Sequence, residues 1–463
     1  HRENRKESSN YQTRNQALAA YIVMCTDNGK IKVQPRLKVL IIAEAANPEW
    51  VSVPLVGWSL ANALRSVCDV HIVTQVRNSD AIKRAGLIEG VDFTAIDTEA
   101  FAKPLWKLGT KLRMGEGKGW TLIQALNAVS YPIFERQVWA QFGARIKNGE
   151  FDIVHRITPL SPTISSSIAS KCQRAGVPFI LGPLNGGVPW PKGFEAERIE
   201  EREMLSYIRS AYKLLPGRRS TLKNATAIIV GSRHTESEIP DDLQDKCVYL
   251  PENAINPDVF SKVTKFSKRP LRACFVGRMV AYKGPDMLLK AAAPLLRDGR
   301  MTLDMIGDGP LLNALKEQVH GDGLDEAIQF HGWVDHGAVQ DIMTNCALFA
   351  FPSIREFGGG VVLEAMALGI PPLIVDYAGP GELVKSGLGF KVPIGSKSEI
   401  IAGFRQELEK IADNPDILPK MGEASRQYVE DKFTWDQKAK QVMQVYDWAL
   451  GKRKDRPQLF PSA

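Results

Sequence analysis

A chain of 463 residues, 44% hydrophobic and 24% charged, exceeds the size at which one core keeps growing, so a single small domain is excluded and two domains are expected. Its net charge of +7 is spread among acidic residues, with no dense basic block interleaved with aromatics, which excludes a dedicated nucleic-acid binder. No run reaches the roughly 18 uncharged apolar residues that a bilayer span needs, and the six cysteines show no C-x-x-C pair, so neither a spanning helix nor a structural zinc is expected.

Residues 1–36 are polar and charged around one apolar patch, Ala17 to Met24, and read as an extension of uncertain order. The apolar stretch Gln16 to Cys25 lacks the small-residue cleavage pattern of a secretory signal, so the chain reads as cytoplasmic. From Leu37 short apolar runs alternate with longer amphipathic ones. Lys38 to Ala43, Val70 to Val73, Phe93 to Ile96, Ile153 to His155, Pro178 to Leu181 and Ala227 to Val230 are the expected strands of a first domain, 37–250. Such alternation is the mark of βα units around a parallel sheet.

A Pro- and Lys-containing linker, 251–270, precedes a second series in a domain at 271–431. Its strands are expected at Ala273 to Val276, Thr302 to Ile306, Ile328 to His331, Leu348 to Phe351 and Pro372 to Val375. Gly284-Pro285-Asp286 is a helix start, because proline at the first helical position gives up an N–H that has no partner anyway. Asp335 is placed to cap a helix beginning near His336. Phe433-Thr434-Trp435 opens a last helix, 432–451, with Trp435, Val442, Val445, Tyr446 and Trp448 spaced for one buried face. The tail from Lys452 is charged, Pro-containing and expected to be loose. Two doubly wound halves of this kind bind ligands at the carboxyl ends of their strands, so a cleft between them is the expected site.

The most informative segment is Glu356-Phe357-Gly358-Gly359-Gly360-Val361-Val362-Leu363-Glu364. A strand leads in through Pro352 and an apolar helix leads out, so the three glycines fall at a helix N-terminus, where unpaired N–H groups and the helix dipole favour a phosphate. Two carboxylates beside such a cradle repel an anion unless they bind hydroxyl groups, and a nucleotide-sugar offers both diphosphate and hydroxyls. A Gly-rich turn with two surface glutamates is the structural alternative. Arg278 and Lys283 emerge after the strand ending at Val276, a planar fork and a mobile point charge suited to a pyrophosphate, or two solvated basic residues in a loop.

Ile306-Gly307-Asp308-Gly309-Pro310 resembles a dinucleotide fingerprint only in part, since Leu312 stands where the third glycine belongs. Phe330-His331-Gly332-Trp333-Val334 offers either an aromatic beside a base or a buried tryptophan at the sheet edge. His155 ends an expected strand, and Leu181 to Gly187 ends the next, so both are candidates for the opposite wall of the cleft. The chain contains no D-x-D for a nucleotide-bound metal, no Walker A and no G-x-S-x-G. No metal and no cofactor is expected; the charge of a leaving diphosphate then falls to Arg278, Lys283 and the helix N-terminus.

Glu356-x7-Glu364 with Arg278 and Lys283 upstream resembles the retaining glycosyltransferases of family four, the group 1 glycosyl transferases of GT-B fold. The likeness covers about Leu271 to Gly389, and more weakly the first half. It implies an α/β GT-B architecture of two Rossmann-like domains, an acceptor domain first and a donor domain second, with the C-terminal helix crossing back. It implies metal-independent transfer of a hexose, from a UDP-sugar or GDP-mannose, to a saccharide or lipid-linked hydroxyl, in polysaccharide or envelope glycan synthesis. Arg278 and Lys283 would hold the diphosphate, Glu364 the ribose hydroxyls, and Glu356 with Phe357, Gly358, Gly359 and Gly360 the donor sugar and β-phosphate. His155 would stand near the reacting carbon, making Glu356, His155, Arg278 and Lys283 the catalytic group.

Three departures accompany the likeness. Phe357 stands one place early in the E-x-F-G pattern, the first βα turn, Glu44 to Trp50, has no glycine before Gly57, and Asn253-Ala254 replaces the linker's usual Asn-Gly. Lys103, Lys107, Lys111, Arg113 and Lys118, interleaved with Trp106, Leu108, Leu112 and Trp120, form either a solvated segment or a peripheral contact with an anionic membrane face through 103–120. Two other functions compete: a nucleotide-sugar binder that has lost transfer, and a Rossmann oxidoreductase, which the absence of G-x-G-x-x-G after the first strand disfavours.

Overall fold

The computed structural model describes residues 26–27, 30–31, 36–98, 120–200, 217–266 and 270–460. The basic stretch expected at 103–120 lies outside the described residues, except for the backbone of Trp120, and so does most of 1–36. Two short strands, β1 (Thr26–Asp27) and β2 (Lys30–Ile31), pair antiparallel ahead of the first sheet.

That sheet contains β3 (Lys38–Ala43), β4 (Asp69–Gln75), β5 (Phe93–Ile96), β6 (Ile153–Thr158), β7 (Phe179–Leu184), β8 (Ala227–Val230) and β9 (Cys247–Tyr249). All neighbours are parallel and the spatial order is β5-β4-β3-β6-β7-β8-β9. Runs such as Val39 to Ala43 have no exposure at all, as expected for central strands covered by helices on both faces.

The second sheet contains β10 (Leu271–Val276), β11 (Met301–Ile306), β12 (Ile328–Gly332), β13 (Leu348–Phe351), β14 (Pro372–Asp376) and β15 (Phe390–Pro393), again all parallel, in the order β12-β11-β10-β13-β14-β15. In both sheets the order reverses at the first strand, between β3 and β6 and between β10 and β13. Loops leaving the carboxyl ends of such neighbours diverge to opposite faces and leave a crevice. Within these two sheets the strands with no expected counterpart, β9 and β15, are edge strands; one is three residues long and the other alternates exposed with more buried positions, so neither presents a buried run.

The last helix, Trp435–Ala449, buries Ala439, Val442, Val445 and Tyr446 in the first domain's core beside Val39, Ile41 and Leu60, while Trp435 and Trp448 are only half-buried. It packs against the helix Val53–Leu64, so the chain that builds the second sheet ends by returning to the first. The tail is not loose as far as Phe460. Arg233 donates to the Phe460 carbonyl at 2.7 Å, Arg456 donates to the Gln244 carbonyl at 2.9 Å, and the Phe460 ring meets Phe433 and Tyr249.

His155 belongs to this packing rather than to the cleft. β6 continues to Thr158, so His155 is in mid-strand, fully buried, with its ring edge-to-face against Tyr446. The Gly182 carbonyl can only accept, so His155 Nε2 carries the hydrogen and donates at 2.7 Å, and Nδ1 accepts from the Tyr446 hydroxyl at 2.7 Å. Both nitrogens are used, which corrects the expectation that His155 serves a reacting sugar. Burial lowers its pKa to about 4, against the raising effect of the Gly182 bond. Below its ordinary value near 6.5 the unfolded chain takes up a proton that the folded imidazole refuses, so stability should be whole above that value and fall as pH drops toward 4. The expected loss is about 3 kcal/mol. Thermal melts of wild type and His155→Asn between pH 7.5 and 4.5 check this: the variant should be less stable at neutral pH and lose less on acidification.

Candidate functional site

The crevice of the second domain is built from two adjacent strand ends. After β10 the chain turns through Gly277 and Arg278 into a short 3-10 segment, Ala281–Lys283, and then the helix Pro285–Arg297, with Gly284 at its N-cap and Pro285 inside its start, as the sequence implies. The turn after β11 packs beneath it, since a Cβ on Gly307 would fall 2.0 Å from the Gly277 carbonyl oxygen. The structural reading of that Gly-rich turn is therefore satisfied by backbone packing alone. Arg278 is exposed, and Lys283 is turned inward.

After β13 the chain passes Pro352 and Arg355 to the triglycine loop, and the helix Gly360–Ala367 begins at the third glycine. Gly359 is its N-cap at φ 57, a left-handed conformation that a side chain disfavours. Ala378, a non-glycine residue in the same left-handed region at φ 51, precedes Gly379, whose N–H donates to the Glu356 carbonyl at 3.1 Å. Backbone strain thus sits beside the loop that the strand ends create.

Lys283 and Glu356 form an ion pair across this crevice, with both side chains more than four-fifths buried. Lys283 also lies 5.2 Å from the centre of the Phe351 ring. Burial, and then the charge of Arg355, lower the Lys283 ammonium to about 7, while contact with the Glu356 carboxylate works in the opposite direction. Glu364 occupies the second turn of its helix, mostly buried, and accepts from His336 Nε2 at 2.8 Å. That bond raises the His336 pKa above its ordinary value. Asp335 precedes this histidine at the N-cap but makes no side-chain cap bond.

The opposite wall comes from the loop after β7, as its sequence suggested. Arg355 Nε donates to the Val188 carbonyl at 3.3 Å, the Tyr377 hydroxyl donates to the Pro189 carbonyl at 3.0 Å, and the Trp190 ring meets Tyr282 edge-on. Glu382 of the second domain accepts from the Tyr249 hydroxyl at 2.8 Å and from the Arg233 N–H at 3.1 Å. The linker enters as well: Asn253 Nδ2 lies 2.2 Å from the position of a Cβ on Gly358, and Phe357 packs over Gly231 at the end of β8. Of these joining residues, Arg233, Arg355, Tyr377 and Glu382 belong to no local motif.

The structure therefore brings Lys283, Glu356 and Phe357 to Gly360 together at one switch point, with Arg278 on the loop that carries Lys283. Glu364 lies one turn further along the same helix, and His155 lies elsewhere. In the first domain the turn after β3 has no glycine of its own, but the helix Val53–Leu64 closes on it at Gly57, where a Cβ would be 2.2 Å from the Ala45 carbonyl oxygen. Trp333 is 73% exposed, so it is not the buried edge tryptophan that was the alternative for it. Among the described residues no group of three or more His, Cys, Asp or Glu is arranged to hold a metal ion, and no helix is long and apolar enough to cross a membrane.

Two facing doubly wound domains with a cleft at their switch points and a returning C-terminal helix define the GT-B class of fold. Solved structures agree: cyanobacterial (Anabaena) Alr3699/HepE, crystallised with UDP, superposes over 89% of this chain and all of that one with a TM-score of 0.58 at 14% identity. The lipopolysaccharide outer core galactosyltransferase WaaB covers 90% and 99% with a TM-score of 0.57 at 15% identity. Residues 258–428 match the family model described as glycosyl transferases group 1. The D-inositol 3-phosphate glycosyltransferase of Gordonia bronchialis is 31% identical over 186 residues, 38% of this chain and 40% of that protein. The glycogen synthase of Mycobacterium tuberculosis is 29% identical over 193 residues, 41% and 46%. The chain thus matches less than half the length of these curated relatives.

Proposed function

We propose that the protein is a retaining, metal-independent glycosyltransferase that moves a hexose from a nucleoside-diphosphate sugar, UDP-linked or GDP-mannose, to a hydroxyl of a saccharide or lipid-linked acceptor. The observation that carries this reading is the Lys283–Glu356 pair at the triglycine helix N-terminus, on a domain of group 1 type. A diphosphate competes with Glu356 for Lys283, joins Arg278 and the N–H groups at Gly360, and frees the Glu356 carboxylate for sugar hydroxyls. Departure of the nucleoside diphosphate is then met by fixed positive charge and oriented dipoles. Glu364, part-buried and already accepting from His336, has a second oxygen for ribose hydroxyls. HepE was crystallised with UDP and with UDP-glucose, which supports a diphosphate ligand for this fold.

The acceptor comes from the first-domain side, and we place the reaction in glycan or polysaccharide synthesis at the cytoplasmic face of a membrane. Calorimetric screening of UDP, GDP, ADP and dTDP, followed by the matching sugar donors, tests the reading. One nucleotide should bind, and Glu364→Gln should weaken it by roughly tenfold to a hundredfold, the scale of one or two charge-assisted hydrogen bonds. Binding of none of the four would remove the proposal. The buried, fully bonded His155 favours one other reading, a binder without transfer; it predicts nucleotide binding with neither transfer nor donor hydrolysis.

A further inference from the structure

Glu252, the second residue of the linker, is a buried carboxylate that the mechanism above leaves unused. It is 7% exposed, and Asn185 Nδ2 of the first domain donates to both of its oxygens at 3.1 Å. Its Oε1 lies 2.8 Å from where a Cβ on Gly358 would stand, and its own Cβ is 3.6 Å from the corresponding point on Gly231 at the end of β8. One side chain therefore touches the acceptor-side loop after β7, the end of β8 and the glycine loop of the second domain. The last helix contributes Lys438, buried, whose ammonium donates to the carbonyl of Pro251 immediately before Glu252.

We propose that Glu252 is a positioning residue of the donor cradle: it fixes the Gly358 loop against the first domain, and it must be uncharged for a nucleoside diphosphate to occupy that cradle. This inference rests on the donor reading given above. The geometry supplies the reason. A carboxylate in contact with Gly358 stands two residues from the helix N-terminus that would receive the anion, in surroundings too dry to screen like charges. Ionised, it opposes the ligand; protonated, it keeps the same packing and a carbonyl oxygen that accepts from Asn185 while withdrawing the repulsion.

The charged groups on the elements packed around it are Lys438 on the last helix, Lys283, Glu356 and Arg355 at the cradle, and Arg233 with Glu382 beyond β8. Burial holds the Glu252 carboxyl up at about 7, against the Asn185 bond and the charge of Lys438, so the proton is available near neutrality. Binding of the diphosphate raises that value further, and the proton comes from the buffer. Affinity is thus highest below about pH 7 and falls above it. Lys283 contributes a fall in the same direction, so the diagnostic quantity is the difference between wild type and a Glu252 variant.

The test is calorimetric titration of the full chain with UDP, or with whichever of GDP, ADP or dTDP binds, between pH 6 and 8.5 in buffers of different ionisation enthalpy. Wild type should lose roughly tenfold more affinity than Glu252→Gln between pH 6 and 8, and should take up about three-quarters of a proton more on binding at pH 7.5. Asn185→Ala removes a bond that favours the charged form, so the midpoint of the wild-type fall should move to higher pH. It keeps the test open if Glu252→Gln folds poorly. Matching pH profiles and proton uptake in wild type and Glu252→Gln, with the nucleotide bound by both, or an unmoved midpoint in Asn185→Ala, would overturn the proposal. A purely structural Glu252 would change the melting temperature and leave the profile alone. Failure of every nucleotide to bind wild type at pH 6 removes the donor reading itself, and this proposal with it.

Discussion

Lys283→Ala should lower kcat/KM for any accepted donor by roughly two to three orders of magnitude, the scale of removing one preorganised group aimed at developing negative charge. The reason is positional. Lys283 is one of two cations on the loop after β10, it is turned into the crevice, and its ammonium is held by Glu356 and flanked by the Phe351 ring. Removing it takes away positive charge where diphosphate charge develops, and leaves Glu356 mostly buried without its partner, so folding stability should also drop. Glu356→Ala should depress turnover by a similar order. Because the two residues touch, the double variant should cost clearly less than the sum of the single ones.

Lysine at this position also carries a pH signature. Its ammonium is depressed to about 7 by burial and by Arg355, so kcat/KM should fall as pH rises through that region. Lys283→Arg keeps a charge at all accessible pH values, and it should flatten the alkaline limb even if it turns over more slowly. Steady-state kinetics from pH 6 to 9, with melting temperatures for each variant, check both statements. Full activity of Lys283→Ala on a verified donor would end the mechanism proposed.

The second large effect is expected at a residue with no reactive group. A Cβ on Gly379 would lie 1.9 Å from the Phe357 carbonyl oxygen, 2.7 Å from the carbonyl carbon and 3.3 Å from the Glu356 carbonyl oxygen. Every one of these is a backbone atom, so no rotamer change relieves the overlap, and the loop carrying Glu356 and Phe357 has to move. Gly379→Ala should therefore cost about 1–3 kcal/mol of stability, as overpacking does. It should also lower turnover by about a hundredfold, because a displacement on the order of 1 Å spoils an alignment that carries much of the rate. Gly337→Ala is the control: nothing lies within 4 Å of its Cβ position in the helix His336–Met343, and alanine there should be neutral or slightly stabilising. Urea unfolding and turnover, measured on both, separate a moved loop from a general loss of fold.

What could be read locally in this protein was whatever depends on spacing along the chain. Strand runs buried on both faces, the glycine and proline at 284 and 285, the three glycines before an apolar helix, and the charges at 278, 283, 356 and 364 all announce themselves through neighbours within a few residues. The parallel sheets, the helix N-terminus at Gly360 and the meeting of Lys283 with Glu356 follow from them, because adjacent strand ends at a reversal of order bring their loops together.

His155 shows where local reading stops. A histidine near a strand end has the same sequence appearance whether it faces a cleft or a core, and only the return of the last helix, with Tyr446 at 2.7 Å, decided that it is packing. The same holds for Glu252 with Asn185, 67 residues apart, and for Glu382 with Tyr249 and Arg233: their significance depends on two domains meeting, and no periodicity records that. Burial pattern and turn chemistry are local, so the two α/β halves and the loops that meet at the second domain's crevice are legible along the chain. The tertiary structure alone decided which charged side chains lose water and what they then touch, since desolvation is a property of the assembled fold.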